Sequence, residues 1–345
     1  MHRSKAIELI SFSSSKSSLA SFVSVLVTIS VASCGGSAAA PANSPASNQS
    51  SWQVILTVKT PRVDFGIPGI ALDGHGNLYL VEFDDDLVYE YSTSGKLVAQ
   101  WGGHGTGPGQ LEGPDKLAFD AQGNLYVTEV GTPFVGPSRI QKLSATGKPL
   151  AQWGTFGSAP GQFINPIGIA VDQQGDIYVA EEANTRIQKL SSLGQPLTHW
   201  GSPGSGPGQF NVPYDLALDA SGNVYVSEPG PLAPGNNRIQ KFSPTGAPLA
   251  QWGGSGAGPG QFNNPTGLTV DSKGNVFVVD SGNNRLEEFS STGQYVAQWK
   301  GPELPETDPI NGSVTGFTFT SKVAVDDHGN MYVSLGNQVV TLVVK

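Results

Sequence analysis

One eight-residue phrase, Asp-x-x-Gly-(Asn/Asp)-(apolar)-(Tyr/Phe)-(Val/Leu), occurs six times in a chain of 345 residues. It begins at Asp73, Asp120, Asp172, Asp219, Asp271 and Asp326, at spacings of 47, 52, 47, 52 and 55 residues. Units recurring at this length imply a repeat architecture in which each unit buries its apolar faces against its neighbours. Every unit parses in the same way. In the third, the strands are GIAVD (168–172), IYVAE (177–181), RIQKL (186–190) and PLTHW (196–200), joined by turns containing Gly175 and Gly194. No stretch beyond residue 51 sustains a 3.6-residue apolar period, which excludes a helical solenoid. Four-stranded meanders repeated six times predict an all-β chain folded as a six-bladed β-propeller of antiparallel blades over residues 52–345. The 45 Gly, 25 Pro and 14% charged residues suit short strands and tight turns.

The sixth unit has strands near 322–326, 331–335 and 338–344 and lacks a fourth. The segment WQVILTV, 52–58, precedes the first unit and has no other place in the pattern. It is expected to supply the outer strand of the last blade, closing the ring and covering edges that would otherwise stay open.

A glycine-rich loop recurs as GTGPGQL (105–111), GSAPGQF (157–163), GSGPGQF (204–210) and GAGPGQF (256–262). A phosphate-binding loop needs a helix N-terminus after it and usually a Lys-Ser/Thr pair. Neither is present, and one phosphate site would not need four copies. Pro-Gly instead favours a type II turn. The loops are expected to carry the chain from the outer edge of one blade to the centre of the next, with Leu111, Phe163, Phe210 and Phe262 as anchors.

The third unit reads Pro166-x-Gly168, Asp172, Gly175, Ile177-Tyr178-Val179, Glu181-x-x-Asn184-x-Arg186-Ile187-Gln188, Gly194 and Trp200-Gly201. The fifth repeats this through Pro265-x-Gly267, Asp271, Gly274, Asp280-x-x-Asn283-x-Arg285, Gly293 and Trp299. The pattern resembles NHL repeats over residues 52–345. The resemblance implies a six-bladed propeller and no single function, because relatives serve as protein-interaction domains, RNA binders, extracellular sensors and, in a few cases, enzymes. No Cys/His cluster matches the RING-type module attached to many eukaryotic relatives.

Carboxylates end the second strand of five units: Glu82, Glu129, Glu181, Glu228 and Asp280. Four are expected to meet an arginine across the hairpin, namely Arg139, Arg186, Arg238 and Arg285. Unit one has Leu87 at the arginine position, and Glu82 stands beside Asp84, Asp85 and Asp86. That acidic run suits a solvated loop, or a Ca2+ or cationic-partner contact.

Units two and four depart from the pattern together. Lys116 and Asp215 replace the glycine after the loop proline, and long loops (130–138 and 229–237) separate strands two and three. Asp115, Lys116, Tyr214 and Asp215 are therefore expected at the mouth of the central channel, with Lys322 joining them. Converging polar groups form the default binding site, Glu82 being a further candidate. Glu82, Asp84, Asp115 and Asp215 are the candidate Ca2+ ligands. The histidines are scattered over turns, an outer strand and a connector, which speaks against a zinc site or a Ser-His-Asp arrangement.

Residues 1–34 read as a lipoprotein signal: a basic start (Arg3, Lys5, Lys16), an apolar run (19–31) and VASC ending at Cys34, the single cysteine. VASC resembles the lipobox of bacterial lipoproteins, which makes Cys34 the expected lipidation site, and by resemblance to their sorting rule Gly35 after it favours an outer membrane where one exists. Residues 35–51 are small and polar and should form a flexible tether spanning about 20–25 Å. Without residues 1–34, which carry three basic residues and one acidic, the formal charge falls from −9 to −11. Such a surface repels nucleic acid. The expected function is an extracytoplasmic, lipid-anchored propeller that binds a protein, peptide or glycan. The alternative is a metal-assisted hydrolase or lyase resembling the propeller lactonases, with Ca2+ near the channel.

Overall fold

A computed structural model of the chain describes residues 52–59, 67, 69–130, 137–230, 235–300, 322–335 and 338–344. The signal, Cys34, the tether and the centres of the two long loops lie outside the described residues. The strands form six four-stranded antiparallel sheets; five run in chain order from the hub outward, and the sixth carries the first strand of the chain at its outer edge. Among the described residues, helix is limited to one 3-10 turn, Ser281–Asn283.

The repeated phrase is a turn for local reasons. In the first unit the Asp73 side chain accepts the backbone N–H of His75 at 2.8 Å and of Asn77 at 2.9 Å. The Asp73 carbonyl accepts from Gly76, whose φ of 81° lies in the left-handed region that glycine adopts freely. The Asp therefore initiates the turn and the Gly completes it.

The closing strand stands where the repeat count required it. Trp52–Lys59 pairs antiparallel with Gln338–Val344, from Trp52 opposite Val344 to Lys59 opposite Gln338. The last sheet thus contains both ends of the propeller.

Burial follows position in the blade. All six second strands, such as Ile177–Glu181, are buried at every position, because both faces meet neighbouring blades. Strand alternation vanishes there for that reason. The core is divided into six apolar clusters, one between each pair of adjacent blades. Between blades two and three, Tyr126, Ile140 and Trp153 meet Phe163, Ile169, Ile177 and Val179. Outer strands such as Pro196–Trp200 are mostly exposed.

Four outer-strand tryptophans, Trp101, Trp153, Trp200 and Trp252, also lock onto a glycine turn of the next blade. A Cβ built on Gly194 would stand 2.0 Å from Cδ1 of Trp153, and one on Gly147 would stand 1.9 Å from Cδ1 of Trp101. Gly123 has a similar φ of 77° with nothing within 4 Å of its would-be Cβ. Gly123→Ala should therefore cost only the left-handed backbone penalty, about 1–2 kcal/mol. Gly194→Ala should add overpacking of about 1–3 kcal/mol. Thermal melting of the two variants against wild type checks this, and equal losses would contradict the interblade lock.

Candidate functional site

Four blades fix the connector that enters them with one buried arginine. The Arg–carboxylate distances are 2.9 Å for Arg139–Glu129, 2.6 Å for Arg186–Glu181, 2.6 Å for Arg238–Glu228 and 2.7 Å for Arg285–Asp280. The rest of each guanidinium donates to connector carbonyls. Arg186 reaches the carbonyls of Ser158 at 2.6 Å and Gln162 at 3.0 Å. The second oxygen of Glu181 accepts the backbone N–H of Ile164 at 3.1 Å. Burial raises the Glu129 and Asp280 carboxyls above their ordinary values, while their hydrogen bonds and arginine partners pull the other way.

The glycine-rich loops are thereby structural. Gln110 donates its N–H to the Gly107 carbonyl at 3.0 Å around Pro108-Gly109, and Gly109 has φ 80°. That is the expected type II turn. Leu111, Phe163, Phe210 and Phe262 are fully buried between blades.

At the hub, the first strands present one equivalent position per blade: Gly69, Lys116, Gly168, Asp215, Gly267 and Lys322. Glycine and charge alternate around the ring, and space is the cause. A Cβ on Gly69 would lie 2.5 Å from the Asp115 carbonyl oxygen, and one on Gly168 would lie 2.9 Å from that of Tyr214. Each charged blade brings a second-strand hydroxyl to the same level. Thr128, Ser227 and Ser334 accept the backbone N–H of Lys116, Asp215 and Lys322 at 3.0, 3.2 and 2.8 Å.

The charges then meet across the hub. Lys322 forms an ion pair with Asp215 and donates to the Leu268 carbonyl at 3.0 Å. Asp215 also accepts the N–H of Leu268 at 2.9 Å and of Leu216 at 3.0 Å. Lys116 lies 3.2 Å from Asp115 and 5.2 Å from the centre of the Tyr214 ring. Asp115, Lys116, Tyr214, Asp215 and Lys322 are thus brought together. Burial raises the Tyr214 phenol well above its usual value, and Asp115, Asp215 and Glu182 add to the rise. Burial lowers the Lys322 ammonium, opposed by Asp215.

Glu182 is a member that the sequence did not indicate. It accepts from Asn165 at 2.7 Å, and its carboxyl is raised by burial and by the charge of Asp115. Its signal was faint: a second acid directly after Glu181, in a hairpin whose partner lies on a connector 17 residues away.

Glu82 stands apart in role. It is buried in blade one, where its charge helps to raise the phenols of Tyr89 and Tyr91 on the adjacent strand. The acidic run beside it is divided. Asp84 is exposed, whereas Asp86 is buried, accepts the Gly113 N–H at 2.8 Å and pairs with His104 at 2.8 Å. Asp86 therefore pins a connector and is not part of a solvated loop.

The donors at the hub suit Ca2+ poorly, because Asp115 and Asp215 each already face a lysine ammonium. Among the described residues, no group of three or more His, Cys, Asp or Glu could hold a metal ion.

Residues 163–190 and 262–289 match the NHL repeat family model. The chain is a six-bladed β-propeller, two of whose blades match the NHL repeat. These are the third and fifth blades, the two with the fullest pattern. No curated protein matches the chain. Among solved structures, virginiamycin B lyase from Staphylococcus aureus is similar at 14% identity and TM-score 0.56, covering 86% of this chain and 100% of that one. A gluconolactonase from Xanthomonas campestris is similar at 15% identity and TM-score 0.55, covering 87% and 88%. A protein of unknown function from Bacteroides thetaiotaomicron gives 17% identity and TM-score 0.60, covering 85% and 76%. At such identities the likeness is one of fold.

Asp215→Ala would leave Lys322 buried beside no carboxylate of its own, and should cost about 3–5 kcal/mol. Asp115→Asn, which keeps the shape and a carbonyl acceptor beside Lys116 at a side chain 16% exposed, should cost less, about 1–2 kcal/mol. Urea midpoints rank the two, and the reverse order would refute the assignment of Asp215 as the hub's central acceptor.

Proposed function

We propose that the chain is a binding module that takes a protein or peptide partner on its connector face, centred on the Asp115–Lys116–Tyr214–Asp215–Lys322 cluster. The supporting observation is that the hub's groups are committed to holding one arrangement. Lys322 and Asp215 occupy one another, Lys116 is 3% exposed, and the Tyr214 phenol is held protonated by burial. A nucleophile or general base needs a group poised to give or take a proton near neutral pH. A recognition surface needs rigid, preorganised groups, and four arginine clamps stiffen the connectors around this one. The metal-assisted hydrolase reading has its candidate ligands Asp115 and Asp215 beside ammonium groups. Tethering of the module by a lipid at Cys34, outside the cytoplasm, completes the proposal.

Capture from solubilised envelope, with the partners identified by mass spectrometry, tests the docking face. The double variant Asp115→Asn, Glu182→Gln keeps shape while removing charge at the mouth. It should lose the captured partner about tenfold or more, equivalent to about 1.4 kcal/mol. An unchanged set of partners would place docking elsewhere. Retention on a glycan array with no protein captured would replace the partner class. A rise in melting temperature with Ca2+, abolished by Asp115→Asn, would favour the metal reading. For the anchor, Cys34→Ser should move the protein from the membrane to the soluble fraction.

A further inference from the structure

Three blades place a glutamine two residues after the clamp arginine: Gln141, Gln188 and Gln240. Its carbonyl oxygen accepts a connector N–H, from Gly109 at 3.0 Å, Gly161 at 3.0 Å and Gly208 at 2.9 Å. Its amide donates twice, to a connector carbonyl and to the clamp carboxylate. In blade three these bonds run to Gln162 at 2.8 Å and to Glu181 at 2.7 Å. The glutamine thus fastens the connector to the clamp through groups that do not titrate.

Blade five has Glu287 at this position. Its side chain is fully buried. Oε1 repeats the role of the glutamine carbonyl and accepts the Gly260 N–H at 3.1 Å. Oε2 takes the place of the amide and has no hydrogen-bond partner. An ionised carboxylate only accepts, so it cannot make either bond that the amide donates. A protonated one supplies a donor at that oxygen.

The charges around it do not rescue the ionised form. Arg285 lies 3.5 Å from Oε1 but is already the 2.7 Å partner of Asp280. Two buried carboxyl groups therefore share one guanidinium. Asp280 is the better served, with Asn283, the Asn263 N–H and Arg285 all donating to it. Tyr295 on the outer strand is a further titratable group within electrostatic reach of Glu287.

We propose that Glu287 is a protonation switch for the fifth connector: neutral, it adds to the Gly260 bond a donor at Oε2, one of the two that the glutamine amides supply, and grips residues 256–262; ionised, it keeps the Gly260 bond alone and loosens them. Burial raises its carboxyl from 4.5 to about 7, opposed by Arg285 and the Gly260 N–H and reinforced by Asp280. The sign follows from a folded value above the unfolded one. The grip is complete below the ordinary carboxyl value and is lost as pH rises through about 7. The switch does not depend on the binding reading, but the connector it governs crosses the same face of the propeller.

Hydrogen exchange of the full chain at pH 5.5 and 8.5, corrected for intrinsic rates, tests it. In wild type, protection of residues 256–262 should fall about tenfold or more at the higher pH, while 157–163, held by Gln188, keeps its protection. Glu287→Gln should hold the fifth connector at both values and raise the melting temperature at pH 8.5 by several degrees. Equal protection of 256–262 at both values in wild type would overturn the proposal, whatever the variant does. So would an equal loss at 157–163, or a loss that persists in Glu287→Gln.

Discussion

The blade-to-connector clamp is the interaction on which the rest of this propeller depends. Interblade cores supply most of the apolar burial, but they do not by themselves fix where each connector runs. One guanidinium does, by holding a carboxylate with Nε and connector carbonyls with its outer nitrogens. Its planar fork suits two roles at once, and a lysine in its place would satisfy only one. The carboxylate, the glutamine and the connector backbone then satisfy one another. A loop that looks like an anion cradle thus spends its donors inside the protein, as Gly109 and Gly161 do on Gln141 and Gln188.

The hub obeys a constraint of space. Six strands converge so closely that a Cβ at Gly69 or Gly168 would strike the backbone of the next blade. Side chains can be admitted only at alternate positions, and those that enter are long or charged enough to reach across. Lys116, Asp215 and Lys322 fill the centre with opposite charges, and hydroxyls from Thr128, Ser227 and Ser334 hold their backbones. A buried ion pair adds little net stability but disfavours arrangements that separate its members. The hub is therefore better understood as setting the order of blades around the axis than as a source of folding energy.

Features whose cause is local were legible in the sequence. The Asp-x-x-Gly turn, the Pro-Gly turn and the Arg–carboxylate pairs need only neighbours along the chain or across one hairpin. The closing strand was legible by counting, because a ring leaves one strand place to fill. The gathering of Asp115, Lys116, Tyr214, Asp215 and Lys322 followed from two adjacent positions in the repeat. Three features were not legible because they join different blades. Glu182 meets a connector residue and the field of Asp115, Asp86 reaches the next connector, and the glycines of the hub answer to a neighbour's backbone. Composition marked Asp86 as solvated because acidic runs usually are, whereas the connector gave it backbone donors to accept from.

The departures from the repeat are more informative than the repeat itself. Where Gln141, Gln188 and Gln240 give three blades a neutral fastening, Glu287 gives the fifth a titratable one with the same reach and shape. Where other blades need glycine, three carry charge into the hub. Blade one replaces arginine and glutamine with Leu87 and Tyr89, beside a buried Glu82 that helps to raise the Tyr89 phenol. Neutral replacements would meet the packing requirement at each place with less desolvation of charge. Packing alone therefore does not account for them. They fall on the first strands at the hub and on the hairpin and third-strand positions that elsewhere fasten the connectors, which places this chain's individuality at the hub and on the face around it.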